Sequence, residues 1–239
     1  MDIRQRYFNN YRQIARDDLC QSIVPEYYAQ SHVRRLLKYA GRYRYGWVLD
    51  LGCGKGEFLK AIPHSGKLGV DISPEYVEYI RKQNIPAICA DVENLSLSSK
   101  YDLIVATDVL EHVLHPEMVL KAIRRHLARA GMVIIRVPFQ EDISVYKTSK
   151  YEFVHLRSFT LASLRALLLK EELVITKVYY ETYSVNTFRY KNRYVRYVVS
   201  RYFNGPKWDR RVLNAPLFLS RLIARPLEIT VIARVGECK

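Results

Sequence analysis

Twelve residues, Val48-Leu49-Asp50-Leu51-Gly52-Cys53-Gly54-Lys55-Gly56-Glu57-Phe58-Leu59, constrain this chain more than any others. An apolar run ends in an acid, passes through alternate glycines and resumes as an apolar helix start. The glycines let the backbone take conformations that other residues resist and let a ligand approach closely. Strand, glycine turn and helix in that order read as a nucleotide-binding loop. A dinucleotide fold uses G-x-G-x-x-G, with the pyrophosphate on the helix N-terminus. Counted from Gly52, the last glycine of that pattern falls on Glu57. A carboxylate there repels a pyrophosphate and suits a nucleoside with a positive centre and an amine.

The next apolar runs agree. Lys67–Ile72 carries Asp71, 21 residues after Asp50, near the spacing at which an acid meets ribose hydroxyls in doubly wound folds. Ser73 and Pro74 then suit the N-cap and first turn of a helix. Pro86–Ala90 ends in Asp91, and Tyr101–Asp108 leads into Val109-Leu110-Glu111-His112. A helix over Glu117–Leu127 and a strand over Met132–Val137 complete the series. Alternating strands and helices argue for a parallel sheet.

In these motifs the chain resembles the class I S-adenosylmethionine-dependent methyltransferases. It is most similar to the subgroup with a D-V-L-E-H-x-x-x-P segment after the fourth strand, here Asp108–Pro116. Quinone, sugar and small-molecule O-methyltransferases belong to that subgroup. The resemblance covers about residues 27–182 and a last strand near 227–235. It implies a Rossmann-like α/β fold, with a seven-stranded mixed sheet, the last strand antiparallel, and helices on both faces. It also implies S-adenosylmethionine as cofactor and S-adenosylhomocysteine as product. By the same resemblance Asp50, Gly52, Cys53 and Gly54 shape the methionine pocket. Asp71 takes the ribose hydroxyls, Ile72 packs on the adenine, and Asp91 and Val92 read its edge. Thr107 and Asp108 flank the methionine. The bland alternative is that Asp71 and Asp91 only cap the segments that follow.

Methyl transfer is an in-line displacement with a good leaving group, so alignment of the acceptor is most of the work. An alcohol or phenol also benefits from a base. Asp108, Glu111 and His112 stand at i, i+3 and i+4, and one helical turn would gather them. His112 and Asp108 are the expected proton-handling groups. The same three could hold a divalent metal, as a comparable cluster does in quinone and small-RNA O-methyltransferases. Three ligands at this spacing make only a partial site, so no residue is assigned to a metal. The remaining reading is that Glu111 and His112 support the cofactor loop. His155, in a long polar loop after the fifth strand, either orients or deprotonates the acceptor or ties the loop to the sheet. His32, His64, His115 and His126 have no companion at useful spacing and read as structural or exposed.

Charge separates the chain into parts. Residues 1–46 carry nine Lys and Arg against four Asp and Glu, residues 47–182 carry 17 against 17, and residues 183–239 carry 12 against three. The expected organisation is a helical lid over 1–46, a neutral cofactor-binding core over 47–182, a basic aromatic insert over 183–226 and a last strand over 227–239. In the lid, Tyr27 and Tyr28 stand where they would close over the ligand or anchor the helix on the sheet. Strands over Leu173–Tyr180 and Leu227–Val235 leave about forty residues between them, far above hairpin length. The insert interleaves Tyr190, Tyr194, Tyr197 and Trp208 with Arg189, Arg193 and Arg196. An anionic membrane surface, a dimer contact or active-site cover, and a nucleic acid all fit it.

The four cysteines are scattered, Cys53 in the loop and Cys89 in an expected central strand, which argues against a disulfide framework. No signal peptide is evident, and no uncharged run approaches the ~18 residues of a spanning helix. The expected setting is the cytoplasm, with the inner membrane face as an attachment site. The expected acceptor is an oxygen on a glycan, lipid-linked or quinone-like molecule. An RNA methyltransferase and a non-catalytic cofactor-binding scaffold are the rival readings.

Overall fold

The structure, a computed structural model, describes residues 2–24, 26–64, 66–144, 151–185 and 224–236. Seven strands form one sheet: β1 (Val48–Leu51), β2 (Lys67–Asp71), β3 (Ala87–Cys89), β4 (Tyr101–Thr107), β5 (Leu127–Pro138), β6 (Leu173–Val185) and β7 (Ala224–Val235). Their order is β3-β2-β1-β4-β5-β7-β6. The first five pair in parallel, and β7 runs antiparallel between β5 and β6. The Rossmann-like mixed sheet expected from the sequence is therefore present. The strand order reverses at β1, between β2 and β4, and ligands of open α/β sheets bind outside the carboxyl ends of strands at such a point.

Among the described residues six helices surround the sheet: α1 (Ile3–Cys20), α2 (Glu26–Ala40), α3 (Glu57–Lys60), α4 (Pro74–Arg81), α5 (Pro116–His126) and α6 (Leu161–Lys170). Side chains alternate across each strand, so the sheet feeds two cores. Leu49, Leu51, Ile104, Ile135 and Val231 pack with Leu120 and Ile123 of α5 and Leu164 and Leu168 of α6. Val48, Leu103, Val105 and Ile134 pack with Leu36 of α2, Phe58 and Leu59 of α3 and Ile80 of α4. Burial on both faces explains why the strands read as continuous apolar runs rather than as alternating ones.

Several boundaries differ from expectation. The N-terminal part holds two helices, not one; α1 was not anticipated. Strands β6 and β7 run on to Val185 and back to Ala224, so the ends of the 183–226 segment belong to the sheet. Residues 186–223, and with them the membrane, dimer and nucleic-acid readings of the insert, lie outside the described residues. Cys89 is in the edge strand, not a central one, and is exposed. No helix among the described residues is long and apolar enough to cross a membrane.

The glycine loop joins β1 to α3. Gly52 adopts φ +67°, and a Cβ placed there would lie 2.7 Å from Val109 Cγ2. Gly54 has φ +50° but nothing within 4 Å of such a Cβ. A side chain at 52 therefore meets both strain and a clash, whereas one at 54 meets strain alone. Left-handed backbone costs a non-glycine residue ~1–2 kcal/mol, and overpacking adds ~1–3 kcal/mol. Gly52→Ala should accordingly destabilise the protein more than Gly54→Ala by about that second amount, as chemical denaturation of the two variants would show.

Candidate active site and cofactor cavity

A cavity of about 630 Å³ opens at the carboxyl ends of β1, β2 and β4. All ten residues expected at the cofactor line it: Asp50, Gly52, Cys53, Gly54, Asp71, Ile72, Asp91, Val92, Thr107 and Asp108. The tight turn after β1 is held by amides of Gly52 and Cys53 donating to the Val70 carbonyl at 2.8 and 3.1 Å. Asp71 then accepts from the amides of Gly54 and Ser73, each at 2.9 Å. The acid at the end of β2 thus shapes the loop of β1 and the start of α4 while facing the cavity. Local capping and cavity lining coexist here rather than compete. Asp91 behaves similarly. It accepts from the Glu93 amide at 2.9 Å and pairs with Arg4 at 3.4 Å.

Asp50 has no hydrogen-bond partner of this kind among the described residues. Burial, with the Asp71 charge adding to it, pushes its carboxyl up to about 8. Burial also raises Asp71, against the pull of its amide donors. A buried carboxylate on a cavity floor is stabilised by an incoming ammonium. Two adjacent acids and an open glycine turn fit a nucleoside with a cationic amino-acid tail; they do not fit a pyrophosphate.

The roof comes from α1 and α2. Tyr7, Tyr11, Ile14 and Asp18 of α1 and Tyr28, His32, Val33 and Leu36 of α2 line the cavity. Asp18 fastens this roof. It accepts from Tyr76 of α4 at 2.9 Å and from the Ile23 amide at 2.7 Å, and it pairs with Lys55 of the glycine loop at 3.1 Å. Arg12 and Arg16 meet Glu75 of α4, both at 3.0 Å. The α1 stripe was legible as Tyr7, Tyr11, Ile14 and Asp18 at helical spacing. Tyr28 donates to Glu228 of β7 and is both wall and anchor; of the Tyr27 side chain nothing is described.

Two residues missed in the sequence stand at the far wall. Arg136 of β5 is buried, pairs with Asp108, and lies 3.4 Å from Glu228. Its Nη1 stands 2.6 Å from His32 Nδ1. Burial, with Arg136 and Arg35 adding to it, keeps His32 neutral, well below the usual range. His32, read as structural or exposed, is a half-buried residue of the cavity wall. A charge inside the apolar run Val133–Val137 was the available signal for Arg136.

The Asp108–His112 segment departs from expectation. Residues 108–113 form turns rather than a helix, and Asp108 takes φ +55°. Its side chain is committed to Arg136, so it does not join Glu111 and His112. His155 does: its ring centroid is 4.7 Å from that of His112, and it is bonded to Glu141. Arg157 makes this possible by donating to the carbonyls of Leu110, Val113 and Leu114, which staples the loop after β5 onto the turn after β4. His112 lines the cavity; His155 stands behind it. Burial and the neighbouring His155 lower His112 to about 3, too weak a base to store a proton near neutrality. Among the other histidines, His126 is buried, accepting from the Leu97 amide at 2.8 Å, and His64 bridges the Arg44 carbonyl and the Gly66 amide.

The profile of the methyltransferase domain family matches residues 21–178. The chain belongs to the S-adenosylmethionine-dependent methyltransferase domain family. Its cofactor is accordingly S-adenosylmethionine. A malonyl-(acyl-carrier protein) O-methyltransferase of Priestia megaterium is 28% identical over 115 residues, 43% of this chain and 42% of that protein. The matched stretch spans less than half the length of the first curated relatives. Two solved structures share the fold. One is a S-adenosylmethionine-dependent methyltransferase of Archaeoglobus fulgidus, with TM-score 0.60, 18% identity, and 86% and 93% of the two chains covered. The other is the Burkholderia thailandensis 1,6-didemethyltoxoflavin N1-methyltransferase with bound S-adenosylhomocysteine, with TM-score 0.63, 16% identity, and 99% and 92% covered.

The Asp50 carboxyl gives this methyltransferase a pH signature. Its pKa is higher folded than unfolded, so the folded state holds a proton that the unfolded state releases between pH ~4 and ~8. Stability from this group is present below that window and falls as pH rises through it, by up to about 1.4 kcal/mol per unit. Asp50→Asn should flatten the decline between pH ~5 and ~8 in thermal denaturation of the ligand-free protein and, at the same time, weaken S-adenosylhomocysteine binding.

Proposed function

We propose that the protein transfers a methyl group from S-adenosylmethionine to an oxygen of a small acceptor, of the glycan, lipid-linked or quinone-like class. The observation that carries this reading is the roofed cavity: loop, acids and Asp108 on the floor, with Tyr11, Tyr28, His32 and Val33 as walls. Its volume and closure suit a small molecule beside the cofactor better than a polymer. On this reading Asp50 holds the ammonium, Asp71 the ribose hydroxyls, Ile72 packs on adenine, and Asp91 and Val92 take its edge. Gly52, Cys53, Gly54 and Thr107 form the backbone cradle.

Asp108 acts through Arg136 to fix the wall on which the acceptor lies, rather than as a free base. His112 orients the acceptor hydroxyl as a neutral hydrogen-bonding group. His155, bonded to Glu141 and packed behind His112, supports the orientation of that ring. Attachment to an anionic membrane face through the basic 183–226 segment is part of the same proposal, because a lipid-linked acceptor would be met there.

Asp71→Ala removes charge-assisted hydrogen bonds, each of which contributes ~1.5–3 kcal/mol. The expected outcome is S-adenosylhomocysteine affinity lower by about 10- to 100-fold in calorimetry; unchanged affinity would refute the assignment. Transfer of labelled methyl should appear with phenolic, glycan or lipid-linked acceptors. Label entering RNA alone would establish the rival class, and tight cofactor binding without any transfer would make the protein a scaffold.

A further inference from the structure

Helix α2 buries Leu36 and Ala40 against the sheet and leaves its opposite ridge in solvent. That ridge carries Arg34 and Lys38, one turn apart, and Arg42 continues it in the short helical turn Gly41–Tyr45. The face of β6 and β7 beside α2 adds more cations. Lys177 stands opposite Ile232, which belongs to the core under α2, so both side chains share that face. Arg234, two residues beyond Ile232, lies 5.3 Å from the centre of the Tyr43 ring, and Arg42 lies 5.4 Å from the same ring. Among the described residues of these elements the acids are Glu26, Glu181 and Glu228. Glu26 accepts from Gln30 at 2.8 Å, and the other two are buried and bonded to Tyr39 and Tyr28. Arg34, Lys38, Arg42, Lys177 and Arg234 therefore form a positive flank with no acid paired to it among the described residues. The exposed arginines of α1 differ, since Arg6 pairs with Glu152 and both Arg12 and Arg16 with Glu75. At the end of the flank Tyr45 and Trp47 are 61% and 59% exposed.

We propose that this flank, α2 with the adjoining face of β6 and β7, rests on anionic lipid and holds the protein against a membrane surface. Each basic side chain near such a surface adds attraction, and phenol and indole rings settle at the level of the headgroups. A single-stranded nucleic acid needs a row of free rings on which its bases stack. Here Tyr39 is stacked on Tyr179 at 4.2 Å, Tyr43 is taken by Arg42 and Arg234, and Tyr45 is covered by Arg44 at 4.8 Å, which leaves Trp47 open. The flank runs from the cavity wall, which α2 supplies through Tyr28 and His32, to the amino ends of the strands. A bilayer along it lies beside the cavity without closing it. This deepens the membrane part of the proposed function and rests on it for its purpose. It adds a contact outside the 183–226 segment, and lipid binding by the flank is independent of methyl transfer.

The test uses the full chain with vesicles of phosphatidylcholine alone or with about one third phosphatidylglycerol. With Trp208 replaced by phenylalanine, Trp47 is the single indole, and its emission reports its surroundings. The expected result is co-sedimentation with the anionic vesicles, falling as salt rises, and a shift of Trp47 emission to shorter wavelength. Combined Arg34→Glu, Lys38→Glu and Arg42→Glu should weaken vesicle binding at least about 100-fold while leaving S-adenosylhomocysteine affinity within about twofold. The unchanged cofactor affinity shows that the variant is folded. Failure of the wild type to bind, equal binding to neutral vesicles, or binding unchanged in the triple variant would each overturn the proposal. So would a response of Trp47 to short single-stranded RNA in place of vesicles. A protein that binds the vesicles through the flank yet transfers no methyl refutes only the proposed function.

Discussion

Two carboxylates buried at the carboxyl ends of adjacent parallel strands are the constraint on which this structure turns. Asp50 lies in β1 and Asp71 ends β2, and the pairing of these two strands holds them together. Asp71 is satisfied by the amides of Gly54 and Ser73, so its charge is what bends the glycine turn and starts α4. Asp50 is buried beside the Asp71 charge, and on the proposed reading it is the cofactor's ammonium that stabilises it.

Around that floor the rest of the molecule is arranged as a roof and a wall. The roof includes Tyr7, Tyr11 and Tyr28, whose burial raises them well above their usual range and keeps them neutral. It is fastened through Asp18 to the glycine loop itself, by way of Lys55, so order in the roof and order in the loop are coupled. The wall is the Arg136 network, in which Asp108, Glu228 and His32 share one buried guanidinium. Removal of a single member of such a network leaves a buried charge uncompensated, and costs more than the pair contributes.

Much of this was legible in the sequence, for identifiable reasons. Parallel strands buried on both faces read as apolar runs, which located β1, β2, β4 and the second half of β5. The acids at or near their ends, Asp50, Asp71 and Asp91, were marked by those runs together with the family resemblance. Three things were not legible. The left-handed Asp108 breaks the turn that spacing alone would have made helical, and it carries its side chain to Arg136. The meeting of His112 with His155 depends on Arg157 reaching carbonyls more than forty residues away, which no local pattern encodes. The α1 roof was encoded, in the stripe Tyr7, Tyr11, Ile14 and Asp18, but its place over the cavity depends on pairing with α4.

The central claim is that Asp50 waits protonated for a cationic ligand. S-adenosylhomocysteine titrations near pH ~7, in buffers of different ionisation heat, measure the protons released on binding. The account predicts that the wild type releases more protons than Asp50→Asn, by a substantial fraction of one proton per site. Equal proton release by the two proteins would contradict it.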